Sequence, residues 1–395
     1  MKKGGKLEGW KVEKLGDIGK ISMCKRIFKD QTTVTGDIPF YKIGTFGKEP
    51  DAYISKEIYD EFRNKFSFPK KGDILISASG TIGRRVKYDG EPAYFQDSNI
   101  IWIDNDEKQV LNDYLYHFYG ACNWNSTKGA TISRLYTTNL QQLEIPVPPL
   151  PEQQRIVSVL DEAFASIAQA KSNAERNLVN ARELYESILE EVFTNSGHDW
   201  EDKKLESVCS EITVGHVGSM ASKYKPSGIP FLRSQNIRPN SIDLGNVVYI
   251  DEQFNSQLKK SQLSPGDVAI VRTGYPGTSA VIPESLPISN CSDLVIVKPG
   301  SLVNPYYLCL FFNSTYGKKL VLGNIVGAAQ KHFNVTAAKN VLIPVPPLAE
   351  QRAIVGRLEA LSAETGRLEE IYWQKIESLE ELKKSVLSEA FSGEL

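Results

Sequence analysis

A chain of 395 residues, 41% hydrophobic and 24% charged, is long enough for two or three domains with substantial cores and is far from a disordered composition. The two early lysines have no apolar stretch behind them, and the longest apolar runs, such as Tyr306 to Phe312, are too short to span a bilayer; a soluble cytoplasmic protein without membrane contact is expected. Five widely spaced cysteines, never in a CxxC pair, exclude a disulfide framework and a zinc knuckle, and the formal net charge of −2 excludes a uniformly basic surface.

In chain order, residues 1–147 read as mixed strand and loop. Trp10 and Leu15 open the segment, Ile38-Pro39-Phe40 follows, and Asp73 to Ser77 is a short apolar strand before a loop holding Gly80 and Gly83. Asn99 to Ile103 is a further strand. Residues 148–196 change character: after Pro149 and Pro151 no Pro or Gly occurs until Gly197. Leu160, Ile167, Ala174, Ala181 and Ile188 recur every seven residues, and Ala163, Ala170, Leu178, Leu184 and Val192 fill the neighbouring stripe, which predicts a long helix stopped at Ser196-Gly197. Residues 197–345 repeat the first pattern: Trp200 and Leu205, Ile229-Pro230-Phe231, Asp267 to Val271, then Gly274 and Gly277, then Asp293 to Val297. Residues 346–395 give a second helix carrying Ile354, Leu358, Leu361, Leu368, Tyr372, Leu379, Leu382 and Val386, with Thr365, Gly366 and Lys375 expected to interrupt its seam.

The repeat is internal and marked. Ile145 to Val157 (IPVPPLPEQQRIV) and Ile343 to Val355 (IPVPPLAEQRAIV) agree at ten of thirteen positions at an offset of 198. Neither helix, roughly 63 Å long for about 42 residues, can bury an apolar stripe alone. Two units related by a pseudo-twofold axis would pack these helices antiparallel as a coiled coil. The expected fold is α+β: two tandem mixed domains separated by two long helices.

Charge follows the same division. Residues 152–193 hold 8 acidic and 4 basic side chains and residues 350–395 hold 10 and 6, which leaves a surplus of six positive charges on the globular parts. Those parts suit phosphate, and the acidic arms suit a protein partner. Basic, amide and hydroxyl side chains on the predicted loops are candidates for base edges and phosphates. In the first domain these are Lys25, Arg26, Ser79, Thr81, Arg84, Arg85, Lys128, Arg134 and Tyr136. In the second they are Arg233, Gln235, Asn236, Arg238, Arg272, Thr273, Tyr275, Lys331, His332 and Asn334.

No catalytic centre is legible. There is no Gly-rich cofactor loop, no N/D-PP-Y/F motif for a target base and no GxxxxGK[ST], while the four histidines are isolated from one another. No cofactor and no metal are expected. A self-sufficient nuclease or methyltransferase is therefore disfavoured, and a coiled-coil scaffold without DNA contact is disfavoured by the loop arginines.

Two variable domains, each followed by PPLxEQ (Pro148 to Gln153 and Pro346 to Gln351) and a long helix, resemble type I restriction-modification specificity subunits. The opening WKVEKLGDIGKI from Trp10, the segment Ile229 to Ile237 and the segment Pro265 to Thr278 are similar to that family's domains. The resemblance covers essentially the whole chain. It departs in Arg352-Ala353, which replaces Gln154-Arg155, and in Lys375 on the second seam. It implies a non-catalytic subunit with two target-recognition domains, each reading one half of a bipartite double-stranded DNA site. It also implies helices that set the gap and dock two adenine-N6 methyltransferase subunits, with restriction subunits completing the complex.

Overall fold

The computed structural model describes residues 9–122, 124, 134–195, 197, 199–323 and 332–395. Two compact units result, one formed by Met1–Ala174 with Gln374–Leu395 and the other by Glu175–Trp373. Each takes part of both long helices.

In the first unit an antiparallel sheet runs in the order Lys20–Ser22, Ile100–Asp104, Ile74–Ser77, Arg85–Lys87. Successive side chains of a strand point to opposite faces, so a strand covered on both sides must be apolar throughout. That is why Ile74–Ser77 is buried along its length. Ile74, Ile76, Ile101 and Ile103 face the helix Asn112–Ala121 through Tyr114, Leu115 and Phe118. Leu75, Ile100 and Trp102 face the opposite layer, where Phe40, Ile54 and Tyr94 come from a three-stranded sheet.

The second unit repeats the plan with the order Cys209–Val214, Leu294–Pro299, Val268–Val271, Ser279–Val281. Val268, Ile270, Val295 and Val297 pack with Leu308 and Phe311 of the helix Pro305–Asn313. Ala269, Val271, Leu294 and Ile296 pack the other way, onto Leu232, Ile237 and Leu263. Each globular part is closed by a ribbon pairing its beginning with its end: Lys11–Lys14 with Glu144–Val147, and Glu201–Lys204 with Leu342–Val345. The proline hinge comes directly after each ribbon.

The long helices are Leu150–Thr194 and Leu348–Ser392, each an unbroken 45 residues. The first ends two residues before the expected Ser196-Gly197 stop. In the first unit Lys171 meets Glu380 at 2.5 Å and Arg155 donates to the Leu395 carbonyl at 2.8 Å; in the second, Arg182 meets Glu369 at 2.8 Å. In the first unit these partners descend along one helix as they ascend along the other, which defines an antiparallel pair, and in the second Arg182 beside Glu369 with Tyr185 beside Leu358 and Glu359 run the same way.

The seam corrects three sequence assignments. Covered positions on the first helix step by three and four residues through Leu160, Ala163, Ile167 and Ala170, then take two steps of four to Ala174 and Leu178 before reaching Ala181, Tyr185 and Ile188. The extra residue moves the stripe from Leu184, 46% exposed, to Tyr185. The second helix makes the same double step at Leu368, Tyr372 and Ile376, and the stripe passes from Leu382, 48% exposed, to Lys383, whose ammonium lies 5.2 Å over the Phe164 ring. Thr365, expected to interrupt the seam, is buried in it; its hydroxyl donates to the carbonyls of Leu361 and Ser362. Back-bonding to the preceding turn satisfies a hydroxyl that a helix interface would otherwise strand.

Each unit is also anchored by an aromatic near the end of a long helix. Phe391 lies 5.1 Å from Tyr114 and 5.5 Å from Phe118, and Phe193 lies 5.4 Å from both Tyr307 and Phe311. These two phenylalanines sit 198 positions apart, the offset of the hinge repeat.

Candidate nucleic-acid interface

In the first unit the strands Ile74–Ser77 and Arg85–Lys87 are joined by a tight loop in which Gly80 and Gly83 take φ of +64° and +81°. A side chain is strained in that region, so glycine is required for the turn. Ser77 Oγ accepts from Arg84 N–H at 2.9 Å and donates to the Thr81 carbonyl at 2.5 Å. From beyond the helix Asn112–Ala121 the chain returns beside this loop, where Leu135 N–H donates to the Ala78 carbonyl at 2.8 Å and the Arg134 guanidinium to the Ser98 carbonyl at 3.0 Å. Ser79 Oγ donates to Asn99 Oδ1 at 2.7 Å.

The second unit builds the same edge. Gly274 and Gly277 have φ of +85° and +93°, and Gly277 N–H donates to the Val271 carbonyl as Gly83 N–H does to that of Ser77. Phe333 N–H donates to the Arg272 carbonyl at 3.1 Å, the counterpart of the Leu135 bond. Arg272 Nε donates to the Phe333 carbonyl at 3.3 Å and its guanidinium stands 3.7 Å from Asp293. Thr273 Oγ1 and His332 Nδ1 are hydrogen-bonded at 3.0 Å. Tyr275, 83% exposed, occupies the tip, where the first unit has Thr81.

The candidates thus divide. Ser79, Thr81, Arg134 and the exposed Tyr136 gather at the first edge, and Arg26 joins them through its 2.9 Å ion pair with Asp97, which precedes Ser98. Arg272, Thr273, Tyr275 and His332 gather at the second. Gln235 is exposed close by, since Ser234 Oγ donates to the Asp293 carbonyl at 3.1 Å.

Others are engaged within the fold. Arg85 turns away from the loop, its guanidinium 4.5 Å over the Tyr116 ring, and burial holds its pKa below the usual arginine value. Arg84 donates to the Phe46 carbonyl at 2.9 Å, and Lys25 lies 5.3 Å over Phe66. Arg233 donates to the Asn246 carbonyl at 2.8 Å, and Arg238 pairs with Asp243 at 3.4 Å. Asn236 is buried, accepting from Arg233 N–H and donating to the Asp243 carbonyl, while Asn334 caps the helix Val335–Asn340 by accepting from Ala337 N–H. Lys128 and Lys331 lie outside the described residues.

Sequence reasoning missed the polar pair that starts the central strand at each edge, Ser98 with Asn99 and Ser292 with Asp293. Ser98 and Asp293 take φ of +54° and +55°, a conformation uncommon for non-glycine residues. A short polar pair directly before an apolar strand was the available signal. Among the described residues no group of three or more His, Cys, Asp or Glu side chains is placed to hold a metal, and no helix is long and apolar enough to cross a membrane.

Comparison with known proteins gives a consistent result. The family model described as the type I restriction modification DNA specificity domain matches twice, over residues 7–176 and 197–379. A Haemophilus influenzae protein provisionally named as a type I restriction enzyme specificity subunit is 66% identical over 152 residues, which cover 38% of this chain and only 40% of that protein. The EcoBI specificity subunit of Escherichia coli is 22% identical over 82% of this chain and 73% of its own length. Among solved structures, a chain from work on complex assembly and conformational transition of the type I R-M system superposes with a TM-score of 0.74 at 19% identity, covering 98% of this chain and 99% of that one. The HsdS subunit of Thermoanaerobacter tengcongensis gives 0.62, also at 19% identity and 98% coverage of each chain.

Proposed function

Because the chain belongs to the type I restriction modification DNA specificity family, we propose that its two glycine-bounded edges each read one half of a bipartite double-stranded DNA site. The chain is the non-catalytic recognition subunit of a type I restriction-modification complex. The observation that carries the two-part reading is duplication: the same backbone bond pins the loop to the returning chain twice, at Ala78 and Leu135 and at Arg272 and Phe333. A rigid loop that presents different side chains on an identical frame is suited to reading different bases.

Chemistry differs between the edges accordingly. Thr81 offers a methyl and a hydroxyl, whereas Tyr275 offers a ring and a phenolic hydroxyl beside the Thr273–His332 pair. Arg134, Tyr136 and Arg272, with Lys128 and Lys331 from outside the described residues, supply the remaining candidate contacts, and backbone phosphates add a salt-dependent term. The long helices would set the unread gap and carry two adenine-N6 methyltransferase subunits, through which restriction subunits join.

Exchange of residues 199–342 for the matching segment of a relative tests this. Methylation mapping in cells should show one half-site altered and the other, with the gap, unchanged. A change in both halves would overturn independent reading by the two domains.

A further inference from the structure

The glutamine of each PPLxEQ hinge has no part in the reading just proposed, yet it is among the most completely buried polar side chains of the chain. Gln153 and Gln351 are both 0% exposed. Gln153 Oε1 accepts from Leu111 N–H at 2.8 Å, and its Nε2 donates to the carbonyls of Gln109 at 2.8 Å and Pro148 at 2.9 Å. Gln351 repeats the set: Oε1 accepts from Asn304 N–H at 2.8 Å, and Nε2 donates to Leu302 at 3.0 Å and Pro346 at 2.7 Å. One amide thus holds three things together in each unit: the first turn of the long helix, the proline hinge, and the loop that starts the domain's own helix.

That loop is stiff. Asn105 Nδ2 donates to the Val110 carbonyl at 2.6 Å and to Asn112 Oδ1 at 3.0 Å, and Asn112 N–H donates to Glu107 Oε1 at 2.8 Å. A second tie runs in parallel, from the Tyr114 hydroxyl to the Pro146 carbonyl at 2.8 Å and from the Tyr307 hydroxyl to the Pro344 carbonyl at 2.8 Å. The clamped loop comes after the end of Ile100–Asp104, whereas the reading edge lies at that strand's beginning. Five residues at about 3.3 Å each make a lever of roughly 17 Å. A tilt of about 12° at the clamp therefore moves the reading edge by about 3.4 Å, one base-pair step.

We infer that Gln153 and Gln351 are positioning residues that fix the angle between each reading domain and its long helix, and thereby hold the gap between half-sites to one length. The inference rests on the bipartite reading above. Each amide accepts a loop N–H with one end and donates to a hinge carbonyl with the other, a pairing that needs an acceptor and a donor on one side chain.

The test is methylation mapping in cells carrying the complete complex, with the parent chain, Gln153→Glu, Gln351→Glu and Gln153→Leu. The Glu variants keep the accepting oxygen and lose both donated bonds. Base preferences in both half-sites should be unchanged, while discrimination against sites whose gap is one base pair longer or shorter falls by about tenfold or more, the scale of one lost hydrogen bond of ordinary strength. Discrimination is a ratio between sites, so a smaller amount of folded complex does not move it. A parent map showing a two-part motif whose gap is unmoved in every variant overturns the clamp alone. Loss of all methylation in every variant makes these residues folding determinants and overturns it too. A parent map with no two-part motif overturns the bipartite reading and the clamp's role with it.

Discussion

Neighbouring polar residues with the same composition do opposite work here. Asn236 is buried with both ends of its amide paired, so Asn236→Ala orphans a backbone N–H and a carbonyl and should cost about 1–3 kcal/mol. Gln235 is exposed at the rim, and Gln235→Ala should leave stability within roughly 0.5 kcal/mol while weakening binding to cognate DNA. Denaturant unfolding and a DNA-binding titration on both variants separate the two roles; equal stability losses would contradict the placement. Residue type made both legible as candidates, but direction was not: Arg85 and Asn236 are as polar as Thr81 and Tyr275, and only packing shows which face inward. His117 adds a pH dependence. Its Nε2 lies 2.9 Å from Asp161 Oδ1, tying the domain's helix to the long helix, yet burial outweighs the carboxylate and pulls its pKa below 6.5. The unfolded chain then binds the proton more readily than the folded one, so stability is intact above pH 6.5 and is lost as pH falls below it. Unfolding at pH 7.5 and pH 5.5 should show that slope, and His117→Gln should flatten it.

At the scale of elements, the periodicity that reveals the helices also misplaces part of their faces. Counting by sevens through Ala181 and Ile188 is sound, but the companion stripe slips by one residue after Ala174 because the seam takes two consecutive steps of four. A 3.6-residue helix drifts against a seven-residue repeat, and such a step absorbs the drift; on the second helix it falls beside Lys375, where the sequence predicts a shift of the seam, whereas on the first nothing in the local composition marks it. Hence Leu184→Lys should change stability by less than about 0.5 kcal/mol, whereas Tyr185→Lys, which puts an ammonium into the covered stripe, should cost about 2 kcal/mol or more. Thermal melts of the two variants check the assignment, and equal shifts would restore the straight heptad count. The strands were easier to read. Fully apolar runs such as Ile74 to Ile76 and Val268 to Val271 can only be sheltered on both faces, which fixes a layer on each side of the sheet. The hinge motif was legible as a repeat, but the three-way role of its glutamine was not, since its partners Gln109 and Leu302 lie more than forty residues upstream.

Across the whole molecule, the offset of 198 links the hinges, the double steps of the seam and the two terminal phenylalanines, so the chain is one design written twice. If the paired helices of 45 residues are the ruler between half-sites, then lengthening one alters the gap by a calculable amount. Four residues inserted near Ala174 add about 6 Å. A base pair advances the duplex by about 3.4 Å, so the gap should grow by one or two base pairs; only one of two helices is lengthened, which favours one. The insertion rotates the C-terminal part of that helix by about 40°, close to the roughly 36° that one base pair turns the groove. It also adds one further step of four to a seam that already accommodates such a step. A two-residue insertion instead rotates the helix by about 200°, turns the covered stripe toward solvent and should abolish recognition. Methylation mapping reads both variants: the half-sites should be retained in the first, because no reading loop is touched, and an active four-residue variant with an unchanged gap would show that the helices do not measure it.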